Sequence, residues 1–110
     1  MKEDIRLKRN CDFEKVFKNG KRVFGKSLIL IYTKEKDLKI GYSVSKKHGK
    51  AVERNRIKRL LRAVVREERP LIFGNYHIVI LPKVSDFYSF DLFNADIKKI
   101  LKKEFSLNDK

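Results

Sequence analysis

Residues 45–69 read SKKHGKAVERNRIKRLLRAVVREER. From about Ala51 to Glu68 the spacing is helical. At roughly 100° per residue, Ile57, Leu60, Leu61, Val64 and Val65 gather into one narrow apolar stripe that must dock on a sheet. Lys58, Arg59, Arg62, Arg66 and Arg69 lie on the far side with Asn55 among them, while Arg54 and Arg56 flank that group near the helix start. Val52 falls off the stripe, and Pro70 stops the helix nearby. Solvated helix faces ordinarily mix signs, because Glu and Lys four apart support each other. Here Glu53, Glu67 and Glu68 sit at the ends or off the basic face, so that face carries one sign. Like charges at this spacing repel. An anionic partner makes the arrangement worth keeping.

Arginine outnumbers lysine between positions 54 and 69. A guanidinium grips phosphate through two parallel hydrogen bonds and stacks on bases, which an ammonium cannot do. Asn55 is short enough to contact a ribose hydroxyl or a base edge. Just ahead, Lys46, Lys47 and Lys50 add three cations on what reads as a flexible loop containing His48 and Gly49. A DNA-recognition helix needs a second helix close before it, whereas a strand and a loop precede this one. Charge alone allows DNA, but without such a motif no DNA partner is expected.

The whole composition agrees. Twenty-eight Lys and Arg against 14 Asp and Glu give 110 residues a formal net charge of +14 and a pI near 10.0, the balance of a chain that meets a polyanion. A hydrophobic content of 42%, with 8 Phe and 4 Tyr, is enough for a modest core, which a disordered basic tail lacks. Residues 1–110 therefore read as a single domain that meets a polyanion. No apolar run approaches the roughly 18 residues of a membrane span, and MKEDIRLKRN has no apolar centre of a signal peptide. With Cys11 alone there is no intrachain disulfide and no thiolate metal cluster, and a small buried residue is its default. A soluble protein of the cytoplasm, with no membrane partner, is expected.

Around the basic helix the chain divides into short elements. NCDFEKVFKNG reads as a helix capped by Asn10 or Asp12 and ended by Gly20 in the left-handed conformation, with Phe13, Val16 and Phe17 on one face. KRVFG starts a hairpin whose second strand runs from about Leu28 to Thr33. Leu28, Leu30 and Tyr32 point one way there, Ile29 and Ile31 the other. LKIGYSVS is the next strand, with Ile40, Tyr42 and Val44 together. YHIVILP is an apolar strand, and SFDLFNADIKKILKKEF a helix capped by Ser89 with Phe93, Ile97, Ile100 and Leu101 inward. The order α-β-β-β-α-β-α predicts an α/β (α+β) two-layer sandwich with a mixed sheet of about four strands and three helices.

GYSVSKKHGKAVERNRIKRLLR, with Arg54-Asn55-Arg56 at its heart, resembles the signature of the protein subunit of bacterial ribonuclease P. Arg6-Leu7-Lys8, DFEKVFKNG, SLILIY, YHIVILPK and the Lys-rich last helix extend the resemblance over nearly the whole chain. His48 departs from the small apolar residue usual at its position. The resemblance implies a left-handed β-α-β crossover around the basic helix, against the roughly 98% right-handed rule. It also implies that residues 1–110 form a single RNA-binding domain, a non-catalytic protein component of the ribonuclease P ribonucleoprotein. That component binds the catalytic RNA subunit and the 5′ leader of precursor tRNA and assists endonucleolytic removal of the leader. RNA contacts are expected from Lys46, Lys47, Lys50, Arg54, Asn55, Arg56, Lys58, Arg59, Arg62 and Arg66.

Aromatics at helical or strand spacing are ordinarily core. The resemblance implies a second role for Phe13, Phe17, Leu30 and Tyr32, lining a cleft for the leader, where splayed bases stack with tolerance of sequence. Catalytic residues are not apparent. The carboxylates are scattered among lysines, as in Lys34-Glu35-Lys36-Asp37; His48 sits in the basic loop, His77 sits in a strand where a satisfied core or edge histidine is the default, and Cys11 has no histidine nearby in sequence. The expected cofactor is the RNA subunit, with Mg²⁺ held mainly by RNA and none bound by the protein alone. A ribosomal or RNA-chaperone protein fits the composition equally well; the Arg54-Asn55-Arg56 context and the helix-first order speak against it.

Overall fold

The computed structural model describes residues 6–72, 74–85 and 87–105. Four strands form one mixed sheet: β1 (Lys21–Phe24), β2 (Leu28–Lys34), β3 (Lys39–Tyr42) and β4 (Tyr76–Pro82), in the order β1-β2-β4-β3. β1 pairs antiparallel with β2, β2 antiparallel with β4, and β4 parallel with β3. The helices are α1 (Asn10–Asn19), α2 (Ala51–Glu68) and α3 (Phe90–Glu104), with α2 joining the parallel pair β3 and β4. Three helices and a four-stranded mixed sheet are the α+β architecture expected from the element order.

Strand alternation creates two different faces. Leu28, Leu30, Ile40, Ile78 and Ile80 point to one face and pack under α2 and α3, against Ile57, Leu61, Val64, Phe93, Ile97 and Leu101. Ile31 and Val79 point to the other, where α1 lays Val16 on them, flanked by Leu7. β4 lies between two strands and is covered on both faces, which explains its unbroken apolar run.

Polar side chains fasten α3. Ser89 caps it, accepting from the Leu92 amide at 3.2 Å. Buried Asp96 accepts from both the amide and the hydroxyl of Ser27 in the β1–β2 turn. Glu104 accepts from the Tyr32 hydroxyl at 2.6 Å and pairs with Lys21 at 3.0 Å.

Four local expectations change. Gly20 is extended (φ −80°, ψ 158°), not left-handed, and Arg9 rather than Asn10 or Asp12 occupies the cap position of α1, without a side-chain bond. Gly20 serves close approach: a Cβ there would come within 2.5 Å of the Val16 carbonyl oxygen and 2.6 Å of Ile31 Cγ2. The strand at LKIGYSVS closes at Tyr42. Cys11 is exposed, since it lies on the opposite side of α1 from Phe13, Val16 and Phe17.

Candidate nucleic-acid interface

The apolar stripe of α2 fixes which of its side chains reach water. Ile57, Leu61, Val64 and Val65 are buried and Leu60 is half-buried. Diametrically opposite on the helical wheel stand Asn55, Arg59, Arg62 and Arg66, all exposed, spaced by four, three and four residues along one line. Arg56 is exposed on one flank, Lys58 half-buried on the other. Val52 lies on this polar side at 76% exposure, which accounts for its absence from the stripe. Among the described residues no carboxylate pairs with Arg56, Lys58, Arg59, Arg62 or Arg66. The one buried acid of the helix, Glu68, faces Lys98 of α3 at 3.9 Å.

Arg54 differs from its neighbours. It is half-buried and its Nε donates to the Gly49 carbonyl at 3.2 Å, back across the helix start. It holds the preceding segment in place as well as adding charge. That segment is not the loose loop expected from its glycine. Lys46–His48 form a 3₁₀ turn capped by Ser45, and buried His48 donates from Nε2 to the Pro82 carbonyl at 2.8 Å, tying the turn to the end of β4. Lys46, Lys47 and Lys50 are exposed around it, and Gly49 takes φ 118°, a conformation that favours glycine. The imidazole at position 48 thus fills a packing site and supplies a tether.

The basic surface continues onto β3, an edge strand. Arg62 and Arg66 act on Tyr42, pulling its pKa down; burial is the larger effect and pushes it up to about 12. Tyr42 is therefore neutral and near enough to Arg62 and Arg66 to feel their charge. On the outer edge of β3, the Leu7 amide donates to the Ile40 carbonyl at 3.0 Å, so the N-terminal segment covers part of the open edge.

The proposed leader cleft does not hold together as expected. Phe13 and Phe17 lie half-buried on α1, against the Ile31 and Val79 face. Leu30 and Tyr32 point to the opposite face, because side chains alternate along β2. Leu30 is 1% exposed beneath the α2 and α3 layer. Tyr32 packs against Phe105 at 4.8 Å and Tyr76 at 5.6 Å, with its hydroxyl on Glu104. Both belong to the core side. The residues that do accompany Phe17 are Ile29 and Leu81, half-buried and paired across β2 and β4, with Phe24 opposite Ile29 and 67% exposed, and Arg22 beside it. The alternation of LILIY held this signal. Phe13 seats on Gly41, where a Cβ would come within 2.6 Å of its ring.

Each histidine bonds to another part of the sheet layer, His48 to Pro82 and His77 to Asp37. His77 donates from Nε2 to Asp37 at 2.9 Å, which holds that carboxyl below its ordinary range and ties β4 to the turn before β3. Among the described residues no three His, Cys, Asp or Glu side chains come together to hold a metal ion, and no helix is long and apolar enough to cross a membrane.

Comparison with known proteins places these features in a family. The family model for ribonuclease P matches residues 1–104. The ribonuclease P protein component of Bacillus velezensis is 41% identical over 107 residues, covering 94% of this chain and 91% of that protein. Among solved structures, the ribonuclease P protein of Thermotoga maritima superposes with a TM-score of 0.77 at 27% identity, covering 93% and 97% of the two chains. A Staphylococcus aureus ribonuclease P protein mutant, described as defective in mRNA degradation activity, superposes with a TM-score of 0.78 at 28% identity, covering 90% and 86%.

Proposed function

The chain belongs to the ribonuclease P protein family, and on that premise we propose how its surfaces divide the work. It is the protein component of a ribonucleoprotein endoribonuclease that matures tRNA 5′ ends, and its partner is an RNA subunit. The single observation that carries the assignment of surfaces is the line of Asn55, Arg59, Arg62 and Arg66, exposed and without carboxylate partners among the described residues. Guanidinium groups at that spacing meet successive phosphates, and the released counterions drive binding. This face, with Arg54, Arg56, Lys58, Lys46, Lys47 and Lys50, takes the RNA subunit. The α1 face takes the leader of precursor tRNA, with Phe17, Phe24, Ile29 and Leu81 as an apolar floor and Arg22 for a phosphate. Stacking on aromatic rings tolerates sequence, which suits leaders that differ between tRNAs.

The chemistry resides in the RNA. Cleaving a phosphodiester to leave a 5′ phosphate calls for an activated water and charge stabilisation at the leaving oxygen, work suited to paired metal ions. Such ions need anionic ligands, and RNA phosphates supply them more readily than a surface of net charge +14. The contribution of the chain is to screen repulsion between two polyanions and to hold the leader. This occurs in the cytoplasm, on RNA and not on DNA. A second reading, in which the protein itself degrades mRNA, takes its support from the description of the Staphylococcus aureus mutant.

Adding the chain to a bacterial ribonuclease P RNA at low Mg²⁺ tests both. The expected result is leader removal at Mg²⁺ levels where the RNA alone is silent, and no cleavage of precursor or mRNA by RNA-free protein. Cleavage by rigorously RNA-free protein would move the chemistry into the chain.

A further inference from the structure

A recess of about 280 Å³ opens where the β1–β2 turn meets the loop entering α3. Neither surface described above uses it. Serines and two lysines line it together with apolar side chains that are open to water: Phe87 is 65% exposed, Val84 58% and Leu92 47%, with buried Phe93 also in the lining. Contiguous exposed apolar side chains, unlike scattered ones, mark a binding surface. The loop that presents Phe87 is fastened. Ser85 Oγ accepts from the Phe87 amide at 3.2 Å, the Ser85 amide donates to the Tyr88 hydroxyl at 3.0 Å, and the Lys83 amide donates to the Ser27 carbonyl at 2.9 Å. Folding thus spends hydrogen bonds on holding a phenyl ring in water.

The rim identifies the occupant. Among the described residues lining the recess, the charged ones are Lys26 and Lys83, both exposed. Another copy of a chain carrying +14 would be repelled there. The recess adjoins the segment before α2: Tyr88, one of its lining residues, has its ring 6.0 Å from that of buried His48, the tether of the Lys46–His48 turn. An exposed aromatic ring in a recess that two lysines also line has the chemistry of a single-strand site. We propose that this recess takes one splayed nucleobase of single-stranded RNA, stacked on Phe87, with the flanking phosphates on Lys26 and Lys83. The inference rests on the reading that the chain works on RNA and adds a site separate from α2 and from the α1 face.

The chain contains no tryptophan, so Phe87→Trp installs a single indole reporter. The probe is a short oligouridylate, compared with an abasic oligomer of the same length and charge. The expected result is saturable quenching of the indole by oligouridylate and none by the abasic oligomer. Phe87→Ala, which removes a side chain that is 65% exposed and so spares the core, is expected to weaken oligouridylate binding about tenfold, the loss of one stacked base. Lys26→Ala and Lys83→Ala are each expected to reduce the salt slope by about 0.7. Arg59→Ala and Arg62→Ala in the Phe87→Trp background are expected to keep the quenching while losing the RNA subunit. Leader removal failing while quenching persists would count against the ribonuclease P reading alone. Oligouridylate that fails to bind or to quench, equal quenching by the abasic oligomer, unchanged affinity of Phe87→Ala, or quenching by anionic vesicles and not by RNA would each overturn the site.

Discussion

The two faces of the sheet are made from alternate residues of the same strands, yet they are finished differently. Under α2 and α3 the face is closed: Leu28, Leu30, Ile78 and Ile80 are at most 1% exposed, and the polar groups along the seam, Asp96, Glu104 and Tyr32, are spent on hydrogen bonds that hold the layers together. Under α1 one helix of ten residues covers the middle of the face, leaving Phe13, Phe17, Ile29 and Leu81 half-buried and Phe24 in water. The first face supports a basic helix whose outward Arg59, Arg62 and Arg66 meet no carboxylate among the described residues. The second keeps apolar surface available to a ligand. Stability and recognition are thus separated by the pleat of β2 and β4.

Truncations on the two sides are expected to separate in the same way. Phe93→Ala empties a fully buried site under α2 and α3 and is expected to cost about 3–5 kcal/mol. Phe17→Ala, at a half-buried position, is expected to cost about 1–2 kcal/mol. Urea denaturation of both variants checks this. Equal losses would mean that the α1 face is as much a core as the other.

A smaller effect sharpens the position of Tyr32. Removing its hydroxyl in Tyr32→Phe breaks the bond to Glu104 and is expected to cost about 1–2 kcal/mol, with precursor affinity unchanged because the ring faces away from α1. Precursor binding that weakens with the hydroxyl would return Tyr32 to the leader site. The carboxyl partner gives a pH signature. The hydrogen bond from Tyr32, followed by Lys21, holds Glu104 below its ordinary 4.5. A depressed folded pKa contributes stability that is present above the unfolded value and lost as pH falls through the folded one. The destabilisation of Glu104→Gln, about 1 kcal/mol at pH 7, is therefore expected to shrink below pH 4.5 and vanish in stronger acid, as followed by thermal unfolding.

Much of this was legible in the residues. The apolar stripe of α2, its basic opposite side, the Ser89 cap and the buried run of β4 follow from spacing alone, because each is a local pattern with one periodicity. The split of Leu30 and Tyr32 from Phe13 and Phe17 was half legible. LILIY shows two faces, but which of them α1 covers depends on how a helix packs across a sheet, a long-range fact. Gly20 illustrates another limit. A sequence records that a side chain is missing, not whether backbone conformation or crowding by Val16 and Ile31 requires it. Cys11 was within reach, since its place on the α1 wheel opposes Phe13 and Val16. The tether from His48 to Pro82 was not, for it joins positions far apart in the chain.

The separation of the two surfaces is the central claim, and one binding experiment tests it most directly. Affinities of Arg59→Ala/Arg62→Ala and of Phe17→Ala are measured for the RNA subunit alone and, within the assembled holoenzyme, for precursor against mature tRNA. The expected result is a crossing. The arginine variant loses the RNA subunit by about tenfold or more, with a shallower salt dependence, as phosphate contacts require. Phe17→Ala, shown to be folded, keeps the RNA subunit and loses about fivefold or more of the preference for precursor over mature tRNA. Both variants losing both affinities in equal proportion would contradict it.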